Sequence, residues 1–248
     1  MLIMNDQKSQ KNISVLILVK NEECNIKQVL TSVCNKLGFY DIDFEFVVVD
    51  GNSSDNTREV VSSIIRDTDT LFIQQNKGYK NALIEGIERC KGDYSLALDG
   101  DCAHSADYID GLLNNLNNHD LVIGSRFVSG GDSIFSFRHF LSIVLNKVLC
   151  RLIAIPVKDL SSGFRLYRKE SLNQIIKELP IFSENFEVLI EIVTKLYIKG
   201  YKIFEVPISY KERREGTSKA ILRKWWISYF KLFSKLICIR YFYKSSLI

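Results

Sequence analysis

Breaks are scarce in this chain: three prolines and thirteen glycines among 248 residues leave no Pro/Gly-rich linker, so one domain is expected. Long apolar runs are missing too. No stretch of 18 or more uncharged apolar residues occurs, which argues against a spanning helix. Met1–Asn12 is polar and has no apolar core, so no signal peptide is expected and residues 1–12 read as a flexible start. The six cysteines (Cys24, Cys34, Cys90, Cys102, Cys150 and Cys238) form no C-x-x-C pair and no zinc spacing. They read as reduced, mostly buried thiols of a cytosolic protein. Internal repeats and low-complexity tracts are absent as well.

What is present suits a packed α/β fold. Hydrophobic residues make up 46% and charged residues 25%, enough for a substantial core. The net charge of +4 is unevenly spread. From Lys199 to Ile248 there are twelve Lys/Arg against three Glu and no Asp, a local +9, so the first 198 residues carry −5. A basic end on a mildly acidic body points to a polyanion, either anionic lipid or nucleic acid.

Short β-branched runs alternate with helical stretches. Ile13–Val19, Phe44–Val49, Leu71–Ile73 and Tyr94–Leu98 read as buried parallel strands, joined later by Leu121–Ile123 and Tyr201–Pro207. Helices are expected after Asn21 as cap, with Glu22 and Glu23 in the first turn, and over Thr57–Arg66 and Lys80–Cys90. Phe140–Ile153, Glu184–Lys199 and Ala220–Tyr243 complete the set. The pattern predicts an α/β fold around an open, mostly parallel sheet. Ligands of such sheets sit beyond the carboxyl ends of the strands. Three acid-bearing turns (Glu22, Asp50, and Asp99 with Asp101) fall at that edge.

Asp99-Gly100-Asp101 ends a buried strand, and two carboxylates so spaced can face one Mg²⁺ or Mn²⁺ and bridge it to a diphosphate. The same composition also makes an ordinary solvated turn. Asp50 and Asp55 in D-G-N-S-S-D-N-T could hold a base or ribose, or simply start the following helix. Gly124-Ser125-Arg126 follows another strand. Arg138, Arg165, Arg213 and Lys219 come later, each either a phosphate donor or a solvated surface residue. In Ile221–Tyr243, Lys224, Ser228, Lys231 and Lys235 share one helical face opposite Trp226, Phe230, Phe233 and Ile237. That arrangement suits an interfacial helix or one packed on the core by its aromatic side. Aromatics interleaved with base-reading side chains are lacking, so no nucleic-acid partner is expected.

Seven strings in order, L-V-K-N-E-E-C-N-I, V-V-D-G-N-S-S-D-N-T, N-K-G-Y-K-N-A-L-I-E-G-I, A-L-D-G-D, V-I-G-S-R-F-V-S-G-G, D-L-S-S-G-F-R-L-Y and R-R-E-G-T-S-K, resemble inverting glycosyltransferase family 2. The nearest branch is the dolichol-phosphate mannose synthase-like group. The resemblance implies a GT-A fold over residues 13–219 and a UDP- or GDP-sugar donor; the charge and amphipathic pattern of residues 220–248 mark them as a basic, membrane-associating tail. It assigns the donor to Val19, Asn21, Glu22, Asp50, Asn76, Gly78, Lys80, Asp99, Gly100 and Asp101, with metal on Asp99 and Asp101. It assigns phosphate of acceptor or donor to Arg126, Arg138, Ser162, Arg165, Arg213, Ser218 and Lys219, and places Asp159 at the sugar site.

The sequence departs from the family pattern at three points. Lys80 replaces a small residue, Ala103 stands where relatives carry a polar metal-shell residue, and transmembrane helices found in many relatives are lacking. Tethering would then be peripheral or through a membrane-spanning partner, at the cytoplasmic face. A hydroxyl acceptor needs a general base, for which Asp159 is the best spare carboxylate; a phosphate acceptor is already anionic. Missing base and abundant phosphate donors favour a polyprenyl (dolichyl or undecaprenyl) phosphate, with a glycan or lipid-linked hydroxyl as the alternative. A nucleotidyltransferase would show an early glycine-rich, lysine-bearing loop, which Ile13–Glu23 lacks, and a non-catalytic module would not need Asp99 and Asp101.

Overall fold

The computed structural model describes residues 12–40, 42–133, 137–179 and 181–210. Among the described residues nine strands run in chain order: β1 (Asn12–Val19), β2 (Asp43–Asp50), β3 (Thr70–Ile73), β4 (Tyr94–Asp99), β5 (Leu121–Ser125), β6 (Asp132–Ser133), β7 (Arg165–Arg168), β8 (Ile203–Pro207) and β9 (Ser209–Tyr210). Among the same residues seven α-helices accompany them: α1 (Ile26–Phe39), α2 (Thr57–Ser62), α3 (Tyr79–Arg89), α4 (Ile109–Asn114), α5 (Phe137–Ile153), α6 (Lys169–Glu178) and α7 (Val188–Ile198). The main sheet has the order β3-β2-β1-β4-β7-β5-β8, and only β7 runs antiparallel to its neighbours. β6 and β9 form a separate small parallel pair.

The continuous apolar runs are continuous because both sheet faces are covered. Val15 and Ile17 pack with Val29, Leu30 and Val33 of α1 and Ile109 and Leu112 of α4 on one face. Leu16, Val47 and Val49 point the other way, onto Leu83 and Ile87 of α3, within a cluster that extends to Leu189, Ile192 and Val193 of α7. Burying each such side chain contributes about 1.5–3 kcal/mol. The mostly parallel α/β architecture expected from the sequence is therefore present.

Several local expectations need correction. Asn21 does not cap a helix: its φ is +52°, a left-handed conformation that asparagine tolerates, and α1 begins only at Ile26. α2 stops at Ser62 instead of running to Arg66, because the Asp69 carboxylate captures the Arg66 backbone N–H at 2.8 Å. α7 starts at Val188, four residues after Glu184, since 184–187 are folded into a turn. β7, α4 and α6 were not legible: Arg-Leu-Tyr-Arg begins and ends on a cation and offers no apolar run. The thiols are not mostly buried either. Among the described cysteines none is disulfide-bonded, and only Cys90 is buried while Cys24 and Cys34 are exposed. No helix among the described residues is long and apolar enough to cross a membrane. The expected helix at 220–243 lies outside the described residues.

Candidate active site

At the carboxyl ends of β1 and β2 two turns are stitched together. Asn21 N–H donates to Ser53 Oγ at 2.9 Å, Ser54 N–H to Asn21 Oδ1 at 2.8 Å, and Glu22 N–H to Thr57 Oγ1 at 2.8 Å. Asp50 lies at the root of this lattice. Its carboxylate accepts from the Ser53 N–H at 3.0 Å and the Ser53 hydroxyl at 2.5 Å, and Arg58 Nε stands 4.0 Å away. Asp55 accepts from Thr57 N–H and hydroxyl, and those bonds outweigh its desolvation to hold its pKa below the ordinary carboxylate value.

The third turn, past β4, carries the paired acids. Gly100 is required there: a Cβ would lie 2.5 Å from Val19 Cγ1, so only a bare backbone lets the turn pack against the end of β1. Asp99 is half-buried, whereas Asp101 is 3% exposed and accepts the Ala103 N–H at 3.0 Å. Opposite, Gly163 brings its backbone close; a Cβ on it would sit 3.2 Å from Asp99 Oδ2 and 3.6 Å from the Tyr79 hydroxyl. These turns enclose a cavity of about 790 Å³.

Of the residues assigned to the donor, Val19, Asn21, Glu22, Gly78, Asp99, Gly100 and Asp101 line this cavity. Asp50 does not: it is fully buried in its own turn, and Val49 and Gly51 beside it form the wall. Asn76 and Lys80 also stay off the wall. Asn76 is exposed with its N–H bonded to Glu85 at 3.0 Å, and Tyr79, one residue before Lys80, faces the cavity instead.

Arg126 and Ser162 line the cavity too, the arginine brought there by the end of β5. Arg126 is gripped by Asp159, with Nε to Oδ2 and Nη2 to Oδ1 both at 2.8 Å, and by Ser161 Oγ at 2.9 Å. Two sequence assignments fail here. Asp159 is fully buried; burial would raise its pKa, but the hydrogen bonds and charge of Arg126 prevail and lower it, so it is the arginine's counter-ion and not a spare base. Arg165 is also fully buried, and it donates to the carbonyls of Ser162, Leu160 and Leu189 and to the Tyr167 hydroxyl. With no face on the cavity it cannot meet a ligand phosphate. Arg138 is the second residue of α5, its side chain undescribed, and Arg213, Ser218 and Lys219 lie outside the described residues.

Tyr79, His104, Ser161, Asn185 and Phe186 complete the wall and were missed. Tyr79 and Phe186 pack ring on ring with centroids 4.1 Å apart. His104 stacks on Phe164 at 5.3 Å, and desolvation, with Arg126 adding, pushes its pKa down to about 4 against the pull of Asp101. Tyr79 and Ser161 sit inside motifs already noticed, and His104 lies three residues past the paired acids. Asn185 and Phe186 carry no local signal, because the fold brings them from a distant loop.

Among the described residues no cluster of three His, Cys, Asp or Glu could hold a metal by itself. Asp99 and Asp101, with the cradle left open by Gly163, nevertheless fit a hard cation whose remaining ligands come from a diphosphate. Residues 14–176 match the family described as glycosyl transferase family 2. The chain belongs to glycosyl transferase family 2.

Within this family the chain resembles a dolichol-phosphate mannosyltransferase of Pyrococcus furiosus, 30% identical over 84% of this chain and 58% of that protein. It also resembles an undecaprenyl-phosphate 4-deoxy-4-formamido-L-arabinose transferase of Pseudomonas fluorescens, 25% identical over 84% of this chain and 59% of the relative. It thus spans roughly three fifths of the length of these curated relatives. Among solved structures, the fold matches glucosyl-3-phosphoglycerate synthase from Mycobacterium tuberculosis in complex with Mn²⁺, UDP and glucosyl-3-phosphoglycerate. The TM-score is 0.66 at 21% identity, covering 85% of this chain and 74% of that one.

Proposed function

We propose that this family 2 member transfers a sugar, with inversion, from a UDP- or GDP-sugar to a polyprenyl phosphate at the cytoplasmic face of a membrane. The observation that carries the reading is the Arg126–Asp159 pair. It holds the Arg126 guanidinium rigid at the cavity wall and at the same time occupies the carboxylate that a hydroxyl acceptor would need as base. A phosphate oxygen attacks without such help. The resemblance to a dolichol-phosphate mannosyltransferase and to an undecaprenyl-phosphate sugar transferase supports the same acceptor class.

The donor's nucleoside would lie along the stitched turns at Val19, Asn21 and Glu22, and its diphosphate at Asp99 and Asp101. A divalent cation bound there would offset the charge that builds on the departing nucleoside diphosphate. Arg126 orients the acceptor phosphate for attack on the anomeric carbon from the side opposite the leaving group, and its fixed geometry avoids reorganisation in the transition state. Tyr79, Phe186 and Gly163 wall the sugar and exclude water from the oxocarbenium-like centre. Peripheral attachment through the basic residues 220–248, with or without a membrane-spanning partner, belongs to this proposal.

Product analysis tests it. Incubation with a nucleotide-sugar panel, Mn²⁺ and undecaprenyl phosphate should yield a glycosyl phosphate of inverted anomeric configuration, and undecaprenol in its place should yield nothing. Transfer to undecaprenol or to a glycan hydroxyl at equal rate would reject the phosphate acceptor.

A further inference from the structure

The loop that holds Arg126 is itself clamped from behind. Glu205 lies in β8, paired with Ile123 of β5 in a register that brings it beside the strand leading into Arg126. Its two carboxylate oxygens accept consecutive backbone N–H groups of the loop after α5: Lys158 at 2.7 Å on one oxygen and Asp159 at 2.8 Å on the other. A carboxylate that bonds two successive amides fixes both peptide planes between them, and hence the direction in which the Asp159 side chain leaves the backbone. From that position Asp159 meets Arg126 at three points: Nε at 2.8 Å, Nη2 at 2.8 Å and the backbone N–H at 3.1 Å. Asn146 of α5 holds the next residues. It accepts the Leu160 N–H at 2.9 Å and donates to Ser161 Oγ at 3.0 Å, the same oxygen that Arg126 Nη2 reaches.

Glu205 makes no approach to the cavity wall, which is formed by other residues. Everything it does for the site passes through Asp159. We infer that Glu205 is a positioning residue for the transfer: by pinning Lys158 and Asp159 it sets the angle of the Arg126 guanidinium that receives the acceptor's phosphate. The inference rests on the proposal that Arg126 meets that phosphate, and it adds a strand-borne residue that touches neither substrate.

Glu205→Gln is the sharpest probe. The side chain keeps its size, but its amide N–H₂ must now face one of two backbone N–H donors, and one bond is replaced by a donor–donor clash. With the full chain, isothermal titration of geranyl phosphate would read acceptor binding, and titration of UDP and GDP with Mn²⁺ would read donor binding. Glu205→Gln should weaken geranyl phosphate by about tenfold while leaving nucleotide affinity within about twofold. In an Arg126→Gln background, which keeps a donor toward the buried Asp159, the same change should add less than about threefold, since both changes act on one path. Unaltered geranyl phosphate affinity, equal loss of nucleotide and phosphate binding, or full additivity would each overturn the inference. If the wild-type chain binds no geranyl phosphate, the acceptor assignment fails on its own account. The Arg126 Nε–H resonance, protected by its ion pair, then decides the clamp: loss of protection in Glu205→Gln upholds it and an unchanged signal overturns it.

Discussion

At the scale of single residues, the site separates groups that meet ligand from groups that hold them. On the proposed function Asp101 is of the first kind, and Asp101→Ala should abolish metal-stimulated turnover while the chain stays folded; retained Mn²⁺ stimulation would exclude it as a ligand. Asp159 belongs to the second. Its pKa is lowered in the folded chain, so the stability it lends is present above the unfolded carboxylate value and is lost as pH falls through the depressed one. His104 contributes in an easier window. Folding lowers its pKa from 6.5 to about 4, so between these values the unfolded chain takes up a proton that the native chain refuses. Stability should therefore fall as pH drops from 6.5 towards 4. His104→Gln should flatten that part of the profile, which thermal melts at stepped pH would measure; parallel profiles for the two proteins would contradict it. Asp99, Asp101 and Arg126 were legible as chemistry from residue type and their place after strands. The burial of Asp159 and Arg165 was not, because a sequence names a charge without revealing which partner takes it.

At the scale of elements, the loop before α7 shows how a wall is fixed. Glu191 of α7 is fully buried, accepts the N–H groups of Phe182 and Ser183 at 3.0 and 2.9 Å, and pairs with Lys195 at 2.5 Å. The segment it ties down carries Asn185 and Phe186 to the cavity. Glu191→Ala would strand the buried Lys195 charge and free that loop, and should cost about 3–5 kcal/mol, readable in urea denaturation. A double change to Glu191→Gln with Lys195→Met should cost less, because no unpaired charge remains; equal losses would argue against the ion pair as the cause. The parallel strands were readable since burial on both faces leaves unbroken apolar runs. β7 was hidden for the opposite reason: four residues with a cation at each end carry no period, and only its two neighbours make it a strand. α1 was placed too early because Asn21 and Glu22 look like a helix start, while their backbone groups are spent on the turn after β2.

At the scale of the whole molecule, six parallel strands deliver their carboxyl ends to one edge, and the inserted antiparallel β7 follows directly from the Gly163 segment that faces Asp99. The sheet thus sets the turns proposed to bind the donor on one side of the cavity and the Arg126 wall on the other. That division predicts separable defects: Arg126→Lys, which gives up a planar fork for a point charge, should raise the KM for lipid phosphate by about tenfold with little change in the KM for nucleotide-sugar. Equal increases in both would count against the division. The family could be read from motif order, and a phosphate acceptor from the missing base and the abundant phosphate donors; that Asp159 is taken up by Arg126 could be seen only in the fold. The most direct measurement of that central claim is nucleoside diphosphate release by the purified chain from UDP- and GDP-sugars with Mn²⁺ or Mg²⁺, with and without undecaprenyl or dolichyl phosphate. Release that requires the lipid phosphate and stops on chelation is the predicted result. Donor binding with no lipid-phosphate-dependent release would contradict the account.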